Sequence, residues 1–276
     1  MNRWMRLLLN ALSYAILFVA ILISLFPIVY LILTSFKPAT LTFAIPPVWV
    51  FEPTLQNYQD VFAGSDFGKY FLNSILVASA ATIISLILGS LAGYGFARFR
   101  FRGANWLRLG ALIPQMLPPI TIIVPLYVLF NSLDMIDSLQ GLVISYLTFS
   151  IPLSIWMMTG FFADVEAELE EAAMIDGCTR FGAFLRVSVP LVAPGLAATA
   201  ILGFIYCWNE FLYAVILTGR DARTLPVTIT SFMTSKAVLW GRMAAAGTLV
   251  LIPVLLIAML VQRYLVRGLS RGAVKG

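Results

Sequence analysis

The sequence predicts an all-α integral membrane protein with six transmembrane helices, and three observations carry that expectation. Of its 276 residues, 61% are hydrophobic and 11% charged, whereas soluble domains average about a quarter charged residues. The mean hydropathy is +0.94. The remaining charges are parcelled between long uncharged runs, the pattern of loops joining membrane helices. A net charge of +5 would otherwise hint at nucleic acid; cations confined to loops describe topology instead, so no nucleic-acid partner is expected. There is no His, and the two cysteines, Cys178 and Cys207, fall in a loop and inside a span. No metal site, disulfide or catalytic residue is expected from such a set.

Arg3 and Arg6 precede an uncharged run too long for a signal-peptide core, which places a first span over residues 10–36. Residues 37–70 carry Pro38, Pro46, Pro47 and Pro53 among aromatic residues and read as a loop with a short interfacial helix over 55–62. The second span, 71–96, contains Ala78, Ala80, Gly89, Ala92 and Gly93, small residues that permit close helix packing. Arg98, Arg100, Arg102 and Arg108 form a basic turn after it. The third span, 106–130, holds Pro114, Pro118, Pro119 and Pro125. Four prolines imply kinks or unwinding, which persists only where protein or a water-filled cavity covers the freed backbone. Gln115 and Pro118 are therefore candidates to line a pathway, with simple bending against neighbours as the alternative. A loop with Asp134 and Asp137 leads to the fourth span, 141–163. The fifth, 191–217, contains Trp208-Asn209-Glu210. Within the segment 218–242, the run 225–233 suits a short helix or re-entrant piece. The sixth span, 244–262, ends in a basic tail, 263–276.

Between the fourth and fifth spans lies a polar island, 164–190. Asp164 is placed to cap a helix carrying Glu166 and Glu168 in its first turns. Ala172, Ala173 and Asp176 follow at helical spacing, and Gly177 stands where a C′ glycine stops a helix. Thr179 can start a second short helix with Phe181, Phe184 and Leu185 as its apolar face, closed by Pro190. Asp164, Glu166, Glu168, Glu170, Glu171 and Asp176 all precede the first cation, Arg180. These carboxylates lack local partners, and a cation on another protein would satisfy them. A solvated loop is the alternative. The small pair, the Asp176-Gly177 turn and the second capped helix together favour a docking element.

Glu171-Ala172-Ala173, Gly177 and Val187-Ser188-Val189-Pro190 resemble the cytoplasmic EAA loop of ABC importer permeases, with valines where that family more usually has Ile and Leu. Trp208-Asn209-Glu210-Phe211, the C-terminal Val266-Arg267-Gly268-Leu269, Phe36-Lys37-Pro38 and Asn57-Tyr58 look like the carbohydrate-uptake branch. More narrowly, they look like the shorter second permease subunit of the maltose/trehalose-type pair. The resemblance covers essentially the whole chain, as a single permease domain, and implies the type I importer permease (MetI-like) fold. It further implies that Glu171, Ala172, Ala173, Asp176, Gly177, Phe184 and Pro190 form a coupling element seated in an ATPase cleft. Glu171 would pair with a basic residue there, the alanines would allow close approach and Gly177 the turn. Gly272, Ala273, Val274, Lys275 and Gly276 would reach the ATPase dimer. The implied partners are a second, different permease subunit, an ABC ATPase dimer and an extracytoplasmic solute-binding protein. ATP and Mg would be bound by the ATPase, and no cofactor by this chain. Sugar faces stack on aromatic rings while sugar hydroxyls need polar partners, so Trp208, Asn209, Glu210 and Tyr213 are candidate contacts. Structural packing or contact with the binding protein is the rival reading of that cluster.

The chain carries no Gly-x4-Gly-Lys-Ser/Thr phosphate loop; Gly64, Gly68, Lys69 and Tyr70 come nearest, with the wrong spacing. Glu210 is the only acid well within a span, unlike the several buried charges of ion-coupled carriers. The expected function is thus that of a permease subunit, without its own ATPase, of an importer for a di- or oligosaccharide. An importer for a non-sugar solute and a stand-alone ion-coupled carrier are the alternatives. Of the 18 Lys and Arg residues, only Lys37, Lys69, Arg220, Arg223, Lys236 and Arg242 fall on the side opposite the N-terminus. The positive-inside bias puts both termini and the acidic loop in the cytoplasm, and the resemblance implies that the membrane is the inner membrane of a bacterial or archaeal cell.

Overall fold

The hydrophobic runs become helices because, in lipid, a helix satisfies its backbone polar groups internally. A computed structural model of the chain describes residues 3–64, 66–233 and 238–272. Among the described residues, four helices are long and apolar enough to cross a membrane: α1 (Arg3–Ser35), α3 (Phe67–Arg98), α6 (Leu139–Ala163) and α13 (Trp240–Gly272). Two bent pairs raise the number to six. The shorter helices are α2 (Gln56–Ala63), α4 (Ala104–Met116), α5 (Pro119–Ser132), α7 (Ala167–Ile175), α8 (Arg180–Ala183), α9 (Val189–Leu191), α10 (Ala193–Trp208), α11 (Leu212–Leu217) and α12 (Leu225–Thr230). The expected short helices near 55–62 and 225–233 are thus present as α2 and α12.

The chain falls into two compact units, Met1–Phe67 with Ile229–Ile252 and Gly68–Thr228 with Pro253–Gly276. In the first, the end of α1 is knotted to α2 by polar groups. The Asn57 amide donates to the carbonyls of Ser35 and Lys37, both at 2.9 Å, and the Ser35 and Tyr58 hydroxyls bond at 2.7 Å. The Lys37 ammonium lies over the rings of Tyr30, Trp49 and Phe51 at 5.3, 5.9 and 5.5 Å, a cation–π arrangement. Phe36-Lys37-Pro38 and Asn57-Tyr58, read separately in the sequence, form one junction. Arg242 pairs with Asp60 at 2.8 Å.

In the second unit α3 packs on α6 at Gly89 and Gly93, where a Cβ would fall 2.4 Å from the Ser154 Cβ and 2.8 Å from the Thr159 nitrogen. Gly89 and Gly93, two of the small residues of the second span, therefore sit at a close helix crossing, as their size permits. Away from that crossing, the Asp137 carboxylate accepts backbone N–H groups from Gly219, Arg220, Asp221 and Ala222 at 2.8–3.1 Å.

Several expectations need correction. The third span breaks as its prolines imply, but into two helices rather than one bent one: α4 and α5 meet at 89°, because Pro119 can start a helix but Pro118 before it is held extended (φ −57°, ψ 131°). The fifth span is likewise interrupted, with α10 ending at Trp208 and α11 starting at Leu212. Asp164 does not cap the acidic helix; it is the C-cap of α6, and Glu166 stands at the N-cap of α7 without a side-chain bond. Pro190 closes nothing. A π turn over Phe184–Ser188 leads into α9, where Pro190 occupies a first-turn position that needs no N–H. The chain then bends by 76° into α10. The sixth span runs on helically to Gly272, through much of the expected tail. Ala273, Val274, Lys275 and Gly276 lie outside the described residues.

Candidate coupling site and interrupted fifth span

The acidic island folds as a short helix stopped by a backbone device. Gly177 has φ +91°, a conformation L residues adopt at a cost. The Cys178 N–H bonds to the Ala173 carbonyl at 3.0 Å and the Gly177 N–H to the Met174 carbonyl at 3.1 Å, the paired bonds of a Schellman stop. Thr179 then caps α8, its hydroxyl accepting from the Gly182 N–H at 3.1 Å. Both expectations, the C′ glycine and the threonine cap, are met.

The two sides of α7 differ sharply. Glu171, Ala172, Asp176 and Gly177 are exposed, Ala173 is half-buried, and Ile175 is 86% exposed. Glu170 faces the other way and is 5% exposed. Its carboxylate accepts from the Tyr94 hydroxyl at 2.7 Å, the Arg98 Nε at 2.8 Å and the Ser188 hydroxyl at 2.7 Å. Arg98 also donates Nη2 to the Val165 carbonyl at 2.8 Å. Glu170 has no partner on its own helix, as expected, but the expectation that its cation comes from another protein is corrected: its partners come from the end of α3 and from the turn before α9. Burial alone would push the Glu170 carboxyl up, but the hydrogen bonds from Ser188, Tyr94 and Arg98 outweigh it and hold the group below its ordinary value. It stays charged at neutral pH. Beneath it, Phe184 packs with Tyr94, Met158, Phe162 and Val192 in a buried cluster, its ring centroid 4.7 Å from Tyr94. Of the residues named for coupling, Phe184 is thus part of the core and Pro190 is exposed.

The break in the fifth span follows from Glu210. Its carboxylate accepts from the N–H groups of Leu212 at 2.9 Å, Tyr213 at 3.0 Å and Ala214 at 3.3 Å, so a side chain satisfies the donors left free at the start of α11. Trp208 is buried, stacked on Phe204 and edge-on to Phe71. Tyr213 is buried too, its hydroxyl accepting from Thr148 at 3.3 Å. Asn209 is exposed and donates back to the Ile205 carbonyl at 2.8 Å. Gln115 is exposed on α4 and donates to the Phe149 carbonyl of α6 at 3.2 Å, and exposed Pro118 marks the α4–α5 corner. Phe149 joins Tyr146, Tyr206 and Tyr213 in one aromatic cluster. Tyr206, half exposed within it, was not singled out from the sequence.

A family model described as binding-protein-dependent transport system inner membrane component matches residues 85–271. The chain is similar to the diacetylchitobiose uptake system permease protein of Streptomyces coelicolor, 37% identical over 91% of this chain and 92% of that one. It is also similar to the trehalose/maltose transport system permease protein of Thermococcus litoralis, 36% identical over 92% of this chain and 93% of that one. In fold it resembles a chain of a bacterial ABC transporter involved in the import of the acidic polysaccharide alginate. That match has a TM-score of 0.75 at 21% identity, covering 96% of this chain and 98% of that chain.

Proposed function

The chain belongs to the family of binding-protein-dependent transport system inner membrane components, and on that premise we propose that it is the permease subunit of an ABC importer for a di- or oligosaccharide. The observation that carries the coupling part of this reading is the two-sidedness of α7: Glu170 anchored inward, Glu171, Ala172, Asp176 and Gly177 presented outward. Exposed Ile175 beside an exposed carboxylate is a surface suited to a partner with a cation and an apolar pocket. In this reading the partner is an ABC ATPase dimer, which binds ATP and Mg; a second permease subunit completes the pathway and an extracytoplasmic binding protein delivers the sugar. Both termini lie in the cytoplasm of a bacterial or archaeal cell. The sugar assignment draws on the relatives named for diacetylchitobiose and trehalose/maltose uptake. Of the candidate contacts, Asn209 and Gln115 are the exposed polar groups that could meet sugar hydroxyls, while Trp208 and Tyr213 are buried and the Glu210 carboxylate is taken up by the start of α11.

The test is uptake of labelled maltose, trehalose and diacetylchitobiose by the complex purified from its native membrane and reconstituted with ATP inside the vesicles. ATP-dependent uptake of at least one sugar is expected. Glu171→Lys should insert normally and lose that uptake; normal uptake in the variant would remove the docking role. Gly177→Val should cost about 1–2 kcal/mol through its left-handed backbone and lower uptake with it, and unchanged ATPase stimulation would count against it. Uptake by this chain alone in ATP-free vesicles would establish the ion-coupled alternative instead.

A further inference from the structure

Among the described residues of α7, the only buried side chain is a charged one, Glu170. A helix that merely needed fixing would bury an apolar face. A buried ion pair contributes little net stability over an apolar contact, because desolvation offsets the attraction, yet breaking one side of it is costly. What such a pair does supply is a single allowed arrangement, and its partners here define that arrangement closely. Arg98 is the last residue of α3 and is 11% exposed at its side chain. Tyr94 lies one helical turn before it, so both donors reach Glu170 from one face of the same helix. Ser188 supplies the third donor from the turn leading into α9 and hence into α10. Arg98 also grips the Val165 carbonyl, in the three-residue passage between α6 and α7. One carboxylate therefore ties α7 to the end of α3 and to the approach to α10, and one guanidinium ties α3 to the exit of α6.

We propose that Glu170, held by Arg98, Tyr94 and Ser188, is a positioning residue that makes α7 and the adjoining end of α3 a single mechanical piece, so that a displacement of the docking helix is passed into the membrane spans. The inference rests on the coupling role of α7 proposed above. Glu170 and Glu171, adjacent and chemically alike, then have separate tasks: one transmits inward what the other receives. The exposed face of α7 can be pulled only as far as the inner face is gripped, and Glu170 is the one buried side chain of α7 in that grip, beside half-buried Ala173 and Met174.

The test compares E170Q, S188A and E171K in the reconstituted complex, reading sugar transported per ATP hydrolysed. E170Q keeps the shape but turns an amide N–H toward donors and removes the charge. Its transport ratio is expected to fall about tenfold, the factor carried by one charge-assisted hydrogen bond. S188A, which removes one neutral donor and leaves the ion pair, should fall less and serves if E170Q does not fold. A spin-label pair at exposed Ile175 and Phe101 gives a readout that a purely stabilising role would not move. The interlabel distance should be the same in the resting and ATP-bound states of the parent and should change between them in E170Q or S188A. An unchanged transport ratio and an unchanged distance in both variants, with E171K inactive, would overturn the linkage and leave the docking reading intact. Normal transport in E171K as well would overturn both.

Discussion

Gly89→Leu is expected to keep α3 from packing on α6 and to leave little folded protein. A Cβ at Gly89 would lie 2.4 Å from the Ser154 Cβ, 2.9 Å from its carbonyl carbon and 3.0 Å from the Ile155 nitrogen. Two of those atoms are backbone and cannot rotate away. Gly93, one turn on, faces the Thr159 nitrogen at 2.8 Å and the Met158 Cβ at 2.9 Å, so the helices cannot slide along each other to make room. Overpacking a tight core costs about 1–3 kcal/mol for added methylenes that can partly relax, and a leucine at this crossing should exceed that range. Without a hydrophobic drive between helices in lipid, close van der Waals contact is much of what holds them, so its loss is not easily offset. The check is the monodisperse yield and thermal midpoint of the detergent-solubilised chain. Gly89→Ala should show a smaller loss, partly restored by Ser154→Gly, which removes the nearest of the three atoms and leaves the two backbone ones. Gly160→Ala serves as the control, since its Cβ would meet nothing within 4 Å. A Gly89→Leu protein as stable as the parent would mean that the crossing is looser than its geometry.

The six hydrophobic stretches were legible because lipid imposes a coarse rule, uncharged length, that composition obeys. The close crossing was legible too, because Gly89 and Gly93 are small. The stop at Gly177 and the cap at Thr179 were readable because both devices are local, closing within a few residues. The EAA resemblance led to the right family for the same reason: its residues are contiguous. Four features were not readable, two of them because the partners lie far apart in the chain. Arg98 and Glu170 are 72 residues apart, so an acidic helix looked self-repelling when its inner carboxylate was already matched. The prolines announced a disturbance in the third span without giving its angle, since a proline removes a donor but neighbours decide how far the helix turns. Glu210 looked like a lone acid inside a span. It is instead the reason the span breaks there, supplying acceptors for the first N–H groups of α11. An acid at the end of an apolar run, with a second apolar run directly after it, was the available hint. Asp137 was passed over as a loop acid because its partners are more than 80 residues away.

Asp137→Ala is the second substitution expected to do large damage, to the segment after α11. The residue itself sits at φ +55° and its N–H bonds to the Leu217 carbonyl at 3.0 Å. One carboxylate thus gathers four successive backbone donors, a nest of the kind that binds anions, here filled by the chain's own side chain. Other anchors of the same segment are weaker. Asn73 donates to the carbonyls of Asp221 and Arg223 at 2.8 and 3.0 Å, and Lys69 pairs with Asp221 in solvent, where such a pair contributes little. Removing the carboxylate should cost about 2–3 kcal/mol, the scale of a charge-assisted hydrogen bond that leaves its donors without a partner. The loss should appear as faster proteolysis and amide exchange over residues 218–224, with α6 and α10 unaffected. Asp137→Asn keeps one acceptor and should fall between. Burial would raise the Asp137 carboxyl, yet the N–H groups of Asp221, Ala222, Gly219 and Arg220 prevail and set it below its ordinary 3.8. A carboxyl depressed on folding contributes stability that is complete above the unfolded value and disappears as pH falls through the folded one. The protection of 218–224 should therefore hold through neutral and mildly acidic pH, then decline below the ordinary carboxylate range. In Asp137→Asn it should be lower throughout and flat across that acid window. If parent and variant instead lose protection at the same pH, another acid governs the segment. Exposed Asp221, which shares it, would be the residue to replace next.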